Sequence, residues 1–136
     1  MADIRKLEPH EDDALAAALA AVGRGAAAAD LFLSDPRCHA FVAVDDGRPI
    51  GFAYGNEMLR PEGFWVVVLQ RLEVIEAARA SGVGRELLDA FVAFARSKDH
   101  RAMWLSTDAG PDAARRIYPS AGGERSDAGT YWWVFE

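Results

Sequence analysis

Cysteine is nearly absent from this sequence: Cys38 is the only one in 136 residues. A single thiol cannot close an intrachain disulfide or build a cysteine-based zinc site. A reducing cytoplasm is therefore the expected compartment. Long apolar runs are also missing. No uninterrupted stretch reaches the ~20 residues that a bilayer span needs, and the Ala-rich segment Ala14 to Ala29 is broken by Gly23, Arg24 and Gly25. The start, MADIRKLEPHEDD, has no apolar run behind a basic flank, so it does not read as a signal peptide. No membrane partner is expected. Positive charge is in deficit, with 15 Lys plus Arg against 21 Asp plus Glu and a net charge of -6. An acidic body argues against a nucleic-acid partner and suits a cationic small molecule. Histidine is sparse: His10, His39 and His100 are scattered without a second ligand at metal spacing, so no metal is expected.

What is present suits one globular domain spanning residues 1–136, because 51% of the chain is hydrophobic and 26% charged. Asp3 to Leu7 reads as a short strand. Pro9 and the run His10-Glu11-Asp12-Asp13 open a helix to about Val22, with acidic residues at the positive end of its dipole. Gly23 and Gly25 stop it, and Ala27 to Leu33 reads as a second short helix. His39 to Val44 and Ile50 to Asn56 form a hairpin around Asp46-Gly47, the strongest short hairpin signal. Leu59 to Gly63 reads as a loop and Trp65 to Val74 as the longest strand. The loop Ile75 to Ser81 leads to a helix from Val83 to about Ser97, with Leu87, Leu88, Phe91, Val92, Phe94 and Ala95 on one apolar face. Ala102 to Thr107 reads as a strand, Pro111 to Tyr118 as a short helix, and Thr130 to Phe135 as a closing strand. The order βααβββαβαβ, with no repeat or linker, gives a single mixed α/β (α+β) domain.

The stretch ARASGVGRELL, Ala78 to Leu88, carries the chemistry. A strand that feeds a glycine loop and then a helix is a recurrent anion site. The first helical N–H groups lack intrahelical acceptors, and the helix dipole adds about half a positive charge there. Glycine lets a phosphate approach the backbone. Arg79 and Arg85 bracket the loop and supply positive charge. A P-loop is excluded, because Arg85-Glu86 stands where lysine and Ser/Thr are needed. The three-glycine dinucleotide spacing is absent too.

Arg79-Ala80-Ser81-Gly82-Val83-Gly84 resembles the Arg/Gln-x-x-Gly-x-Gly/Ala signature of the GNAT superfamily of N-acetyltransferases. Leu72-Glu73-Val74 stands where that family's fourth strand precedes the loop. Ala113 to Tyr118 with Gly122 resembles the family's late tyrosine helix, and the element order matches along nearly the whole chain. Ser34 to His39 followed by VAVDDGRPIGFAYG resembles the branch that includes aminoglycoside 3-N-acetyltransferases.

The resemblance implies a bent central sheet of about six to seven strands flanked by about four helices. It also implies that acetyl-CoA, as cosubstrate, donates an acetyl group to an amine by direct attack in a ternary complex. The pyrophosphate would lie on the N–H groups of Ala80, Ser81, Gly82, Val83 and Gly84, beside Arg79 and Arg85. The pantetheine arm would pair with the backbone of Leu72, Glu73, Val74 and Ile75 like an added strand. Tyr118 matches the family's acid, in contact with the cofactor and able to protonate the leaving thiolate. Glu73, turned away from Leu72 and Val74 by alternation, is the candidate base. Its alternative role is an ion pair with Arg71 or Arg101, and Glu57 and Asp108 are the other candidate bases. Several positions depart from the family pattern. Arg71 replaces an acidic residue, Ala80 and Ser81 replace basic ones, Pro111 replaces an asparagine, and Pro119 directly follows Tyr118.

Cys38 and His39 are neighbours on a strand and point to opposite faces, so they do not form a nucleophile pair. Ser81 has no base partner in the pattern. Trp104, Tyr131, Trp132 and Trp133 suit core or dimer contacts, while Phe64 and Trp65 are candidates to line an acceptor site. Three readings remain open. The first is an N-acetyltransferase for a small cationic amine such as an aminoglycoside or polyamine, attracted by Asp30, Glu57, Glu62 and Asp108. The second is a transferase for peptide or protein amines, and the third a CoA-binding protein with a degenerate site. A homodimer is expected by resemblance.

Overall fold

The computed structural model describes residues 2–98, 100 and 102–105. Its elements in chain order are β1 (Asp3–Lys6), α1 (Asp12–Ala21), α2 (Ala29–Ser34), β2 (Cys38–Asp45), β3 (Arg48–Arg60), β4 (Phe64–Val74), a 3-10 turn (Glu76–Ala78), α3 (Val83–Ser97) and β5 (Ala102–Leu105). The five described strands form one mixed sheet in the order β1-β2-β3-β4-β5. The first three pairings are antiparallel. β5 runs parallel to β4, because α3 carries the chain back across the sheet between them. The helix expected at Pro111 to Tyr118 and the strand expected at Thr130 to Phe135 lie outside the described residues.

Asp46 and Gly47 turn the β2–β3 hairpin. Asp45 pairs with Arg48 across them, and both central residues have positive φ, 51° and 75°. That is the two-residue turn whose twist matches the flanking strands. The loop expected at Leu59 to Gly63 shrinks to a tight turn. β3 extends to Arg60, pairing with Phe64, and Gly63 takes φ 102°. β3, with 13 residues, is therefore longer than β4, with 11.

Helices cover both faces of the sheet. Leu87, Leu88, Phe91 and Ala95 of α3 pack on Phe41, Ala43, Ala53, Val67, Leu69 and Leu72. Leu15, Ala18 and Leu19 of α1 and Leu33 of α2 pack on Ala40, Val42 and Phe52. Both parities of β2 are thus apolar, as a sheet buried on two sides requires.

A bulge interrupts β4. Tyr54 pairs with Arg71 but the next residue, Gly55, pairs with Leu69, which leaves Gln70 unopposed. The bulge inverts the facing of the strand. Val67 and Leu69 before it, and Leu72 and Val74 after it, all join the α3 cluster. Gly55 makes the close approach possible: a Cβ there would lie 1.9 Å from the Val68 carbonyl oxygen and 2.9 Å from Phe91 Cζ.

Candidate active site

β4 ends at Val74, and the 3-10 turn and glycine loop lead directly into α3. Gly82 is the N-cap of α3 with φ 90°, and no side chain caps the helix. Ala80 also has positive φ, 70°. Within the helix the bonding begins with Glu86 N–H donating to the Gly82 carbonyl at 3.0 Å. The N–H groups of Val83, Gly84 and Arg85 therefore lie ahead of the first intrahelical donor. The loop that presents them, Arg79 to Gly82, is exposed. A Cβ on Gly82 would meet nothing within 4 Å, so the backbone faces open space. Arg79 Nε donates to the Val74 carbonyl at 3.2 Å, tying the loop to the strand end. Ser81 Oγ donates to the Ala78 carbonyl, and so acts as a turn brace. Arg85 Nε donates to Asp89 Oδ1 at 2.9 Å along α3.

Leu72 and Val74 are buried against α3, and Glu73 points to the other face, as alternation predicts. Glu73 pairs across the ladder with Phe52, and Arg71 with Tyr54, both on the α1–α2 side. There Glu73 meets a residue from 49 positions upstream. Arg24 Nε donates to Glu73 Oε2 at 2.6 Å and Nη2 to Oε1 at 2.7 Å, a bidentate pair. Arg71 Nη1 donates to the same Oε1 at 3.3 Å. The Arg24 guanidinium holds the Glu73 carboxyl below its usual range, although burial pushes it up; the Arg71 charge adds to the lowering.

Arg24 is placed by the end of α1. Gly23 has φ 78°. Its N–H donates to the Ala20 carbonyl at 3.0 Å, and Arg24 N–H donates to the Leu19 carbonyl at 2.9 Å. These two bonds are a Schellman C-cap, which turns the chain over the sheet. Sequence reading identified the Arg71 pairing as an alternative for Glu73 but missed Arg24. The glycine stop was the available signal, and its target was not.

Glu57 lies elsewhere. It pairs with Val67, five residues before Leu72, or about 16 Å along the strand. That distance removes it as a base for chemistry at Leu72 to Ile75. Its carboxylate instead bonds His39 Nε2 at 2.7 Å and His100 Nε2 at 2.5 Å. Burial raises the Glu57 carboxyl, but the bonds to His100 and His39 outweigh it and the net direction is down. Burial pushes His39 down against its bond to Glu57. Trp65 stacks on His100 at 6.0 Å. This places it at the same end of the sheet as Glu57. The Cys38 thiol is pushed up by burial, which suits a protonated, inert side chain. Glu62 is bonded by Arg60 at 3.3 Å. Trp104 is 43% exposed, with the Arg60 guanidinium over its ring at 4.9 Å. Among the described residues no group of side chains is arranged to hold a metal, and no helix is long and apolar enough to cross a membrane. Tyr118, Asp108, Arg101, Pro111, Tyr131, Trp132 and Trp133 lie outside the described residues or their described side chains.

The described strands form one mixed sheet whose fourth strand leads into a glycine-opened helix N-terminus, which defines an α/β domain. A sequence profile of the acetyltransferase (GNAT) family matches residues 5–122, and the chain belongs to that family. No curated protein matches the sequence. Solved structures share the fold along almost the full length. A ribosomal-protein-alanine N-acetyltransferase from Brucella melitensis biovar Abortus 2308 is 23% identical, with a TM-score of 0.78 over 99% of this chain and 100% of that one. An aminoglycoside acetyltransferase from an uncultured soil metagenomic sample is 18% identical, with a TM-score of 0.85 over 100% and 99%. The aminoglycoside N-acetyltransferase AAC(6')-Iy in complex with CoA is 21% identical, with a TM-score of 0.76 over 98% and 95%.

Proposed function

We propose that this GNAT acetyltransferase moves an acetyl group from acetyl-CoA to a primary amine by direct attack in a ternary complex. The observation that carries the reading is the uncapped N-terminus of α3, opened by Gly82 at φ 90° and continuous with the end of β4. The N–H groups of Val83 and Gly84, which lie ahead of the first intrahelical donor, suit the CoA pyrophosphate, with Ala80, Ser81 and Gly82 leaving room for it. Arg79 and Arg85 add charge at the rim. The backbone of Leu72, Glu73, Val74 and Ile75 suits the pantetheine arm as an added strand. A relative with this fold binds CoA, which supports the same cosubstrate here.

In the reaction the neutral amine nitrogen attacks the thioester carbonyl carbon. The new N–C bond forms, the C–S bond breaks, and the amine gives up one proton while the thiolate gains one. Tyr118 is the proposed donor to sulfur. The lowered Glu73 carboxyl is a weak base, because its pair with Arg24 stabilises the charged form. With both oxygens held by Arg24, Glu73 is suited to fixing the arginines on this face, and the amine gives its proton to water.

The acceptor expected from the sequence, a small cationic amine, draws support from the net charge of -6 and from aminoglycoside-modifying relatives. A peptide amine draws support from the ribosomal-protein relative. The neutralised Glu73 favours the second. A cytoplasmic homodimer completes the proposal; light scattering of the purified chain tests the dimer.

The decisive experiment is calorimetric titration of the wild type and Gly82→Glu with acetyl-CoA. Binding in the wild type that is lost in the variant supports the loop. No binding at millimolar acetyl-CoA overturns the reading. A Tyr118→Phe variant with unchanged kcat would remove Tyr118 as the acid and leave the cosubstrate reading standing.

A further inference from the structure

Two guanidiniums meet one carboxylate on the α1–α2 face of β4, so one positive charge is in excess there. Both Glu73 oxygens are already occupied by Arg24, and Arg71 shares one of them. The donors left over are Nη1 of Arg24 and Nε and Nη2 of Arg71. Among the described residues they have no hydrogen-bond partner. The Arg71 side chain is only 25% exposed, which strengthens its charge relative to a solvated arginine. Tyr54 lies beside it across the ladder. Its ring is stacked on Phe52 at 5.8 Å and edge-on to Phe32 at 5.5 Å, an apolar wall that keeps the spot partly dry.

A polycation approaching this face meets like charge and must displace a bidentate ion pair to reach Glu73. A carboxylate meets a planar fork of matching geometry that no described residue occupies. Like-charge repulsion on one side and an unused fork on the other discriminate in the same direction. We infer that the acceptor carries a carboxylate within a few atoms of its reactive amine, and that Arg71, with Arg24 behind it, selects for that group. The inference rests on the transferase reading above. The net acidity of the chain does not oppose it, because the recognition is local. The carboxylate belongs either to a free amino acid or to an acidic residue near a peptide N-terminus.

The test is thiol release from acetyl-CoA with matched acceptors: L-glutamate against L-glutamine amide, Ala-Glu-amide against Ala-Gln-amide, and spermidine and kanamycin as polycations. The expected result is a kcat/KM about 10- to 100-fold higher for one acidic acceptor than for its uncharged partner. Whichever pair shows it identifies the source. Arg71→Gln, with circular dichroism confirming the fold, should erase the preference through KM while kcat changes little. Arg71→Lys should retain part of it, since charge persists without the fork. Equal turnover of acidic and uncharged partners, or preference for spermidine or kanamycin, overturns the inference. So does acetyl-CoA binding without turnover of any acidic acceptor. Absence of acetyl-CoA binding is a different failure: it removes the transferase reading itself, and the inference falls with it.

Discussion

Arg24 reaches Glu73 because one glycine turns the end of a helix, and the consequence is electrostatic. Arg24 is 40% exposed at its side chain and Glu73 only 17%. The exposed partner is screened, so the pair contributes about 1 kcal/mol rather than a buried pair's larger figure. Arg24→Gln is expected to lower stability by about that amount near neutral pH. The dependence on acid has a definite sign. Folding lowers the Glu73 carboxyl from its ordinary value of 4.5, so below that pH the unfolded chain takes up the proton first. The contribution is complete above 4.5 and fades as pH falls through the lowered folded value. Thermal unfolding of wild type and variant should therefore converge as the pH drops from about 7 to about 3. A constant gap over that range would show that Arg24 acts through packing alone. The sequence offered Glu73 and Arg71 for this site, two positions apart on a strand. It could not offer Arg24, because no local pattern links positions 49 residues apart.

At the level of elements, the strand–loop–helix unit and the hairpin were legible because each has a local cause. Glycine at positive φ, an Asp-Gly pair and a period-3.6 apolar face all act within a few residues. The bulge in β4 was not legible. WVVVLQRLEV is apolar enough to read as an unbroken strand, and only the pairing with β3 shows that Gln70 is extra. The facing of Val67 and Leu69 therefore had to come from the structure, whereas Glu73 was assigned correctly from its immediate neighbours. Gly55 fixes the bulge. Gly55→Ala would force a Cβ to within 1.9 Å of the Val68 carbonyl oxygen, which is backbone and cannot rotate away. The expected loss is above about 3 kcal/mol in urea unfolding, with the β3–β4 register disturbed. Gly23→Ala is a contrasting case. Its Cβ would meet nothing within 4 Å, but φ is 78°, so the expected cost is about 1 kcal/mol of conformational strain. A loss at Gly55 no larger than that at Gly23 would mean that β3 and β4 separate there at little cost.

Across the whole molecule, the end of the sheet remote from the glycine loop is fastened by His39, Glu57 and His100. They come from β2, β3 and the approach to β5, and they were scattered in the sequence by 18 and 43 positions. Phe94 of α3 packs on the His39 ring at 4.4 Å, so the helix closes over the same cluster. Lys98 stands 4.0 Å from Glu57, and Lys6 lies over the Phe94 ring at 5.3 Å, so positive charge faces the cluster from α3 and β1. This arrangement gives the fold a pH dependence separate from that of the Arg24 pair. Burial holds His39 below its ordinary value of 6.5. As pH falls below 6.5, the unfolded chain binds the proton before the folded one. Stability is complete above that value and declines as pH falls toward the lowered folded value, by at most about 1.4 kcal/mol per unit for one proton. The His39 effect sets in at a higher pH than the Glu73 effect, because its ordinary value of 6.5 lies above 4.5. Urea midpoints measured at about pH 7.5, 6 and 5 should fall in the wild type. His39→Gln retains an N–H donor for Glu57 but cannot titrate, so its midpoint should be lower at the highest pH and flatter across the series. If the two slopes are equal, the acid sensitivity in this range belongs to other groups, and His39 serves the fold only by packing and by its bond to Glu57.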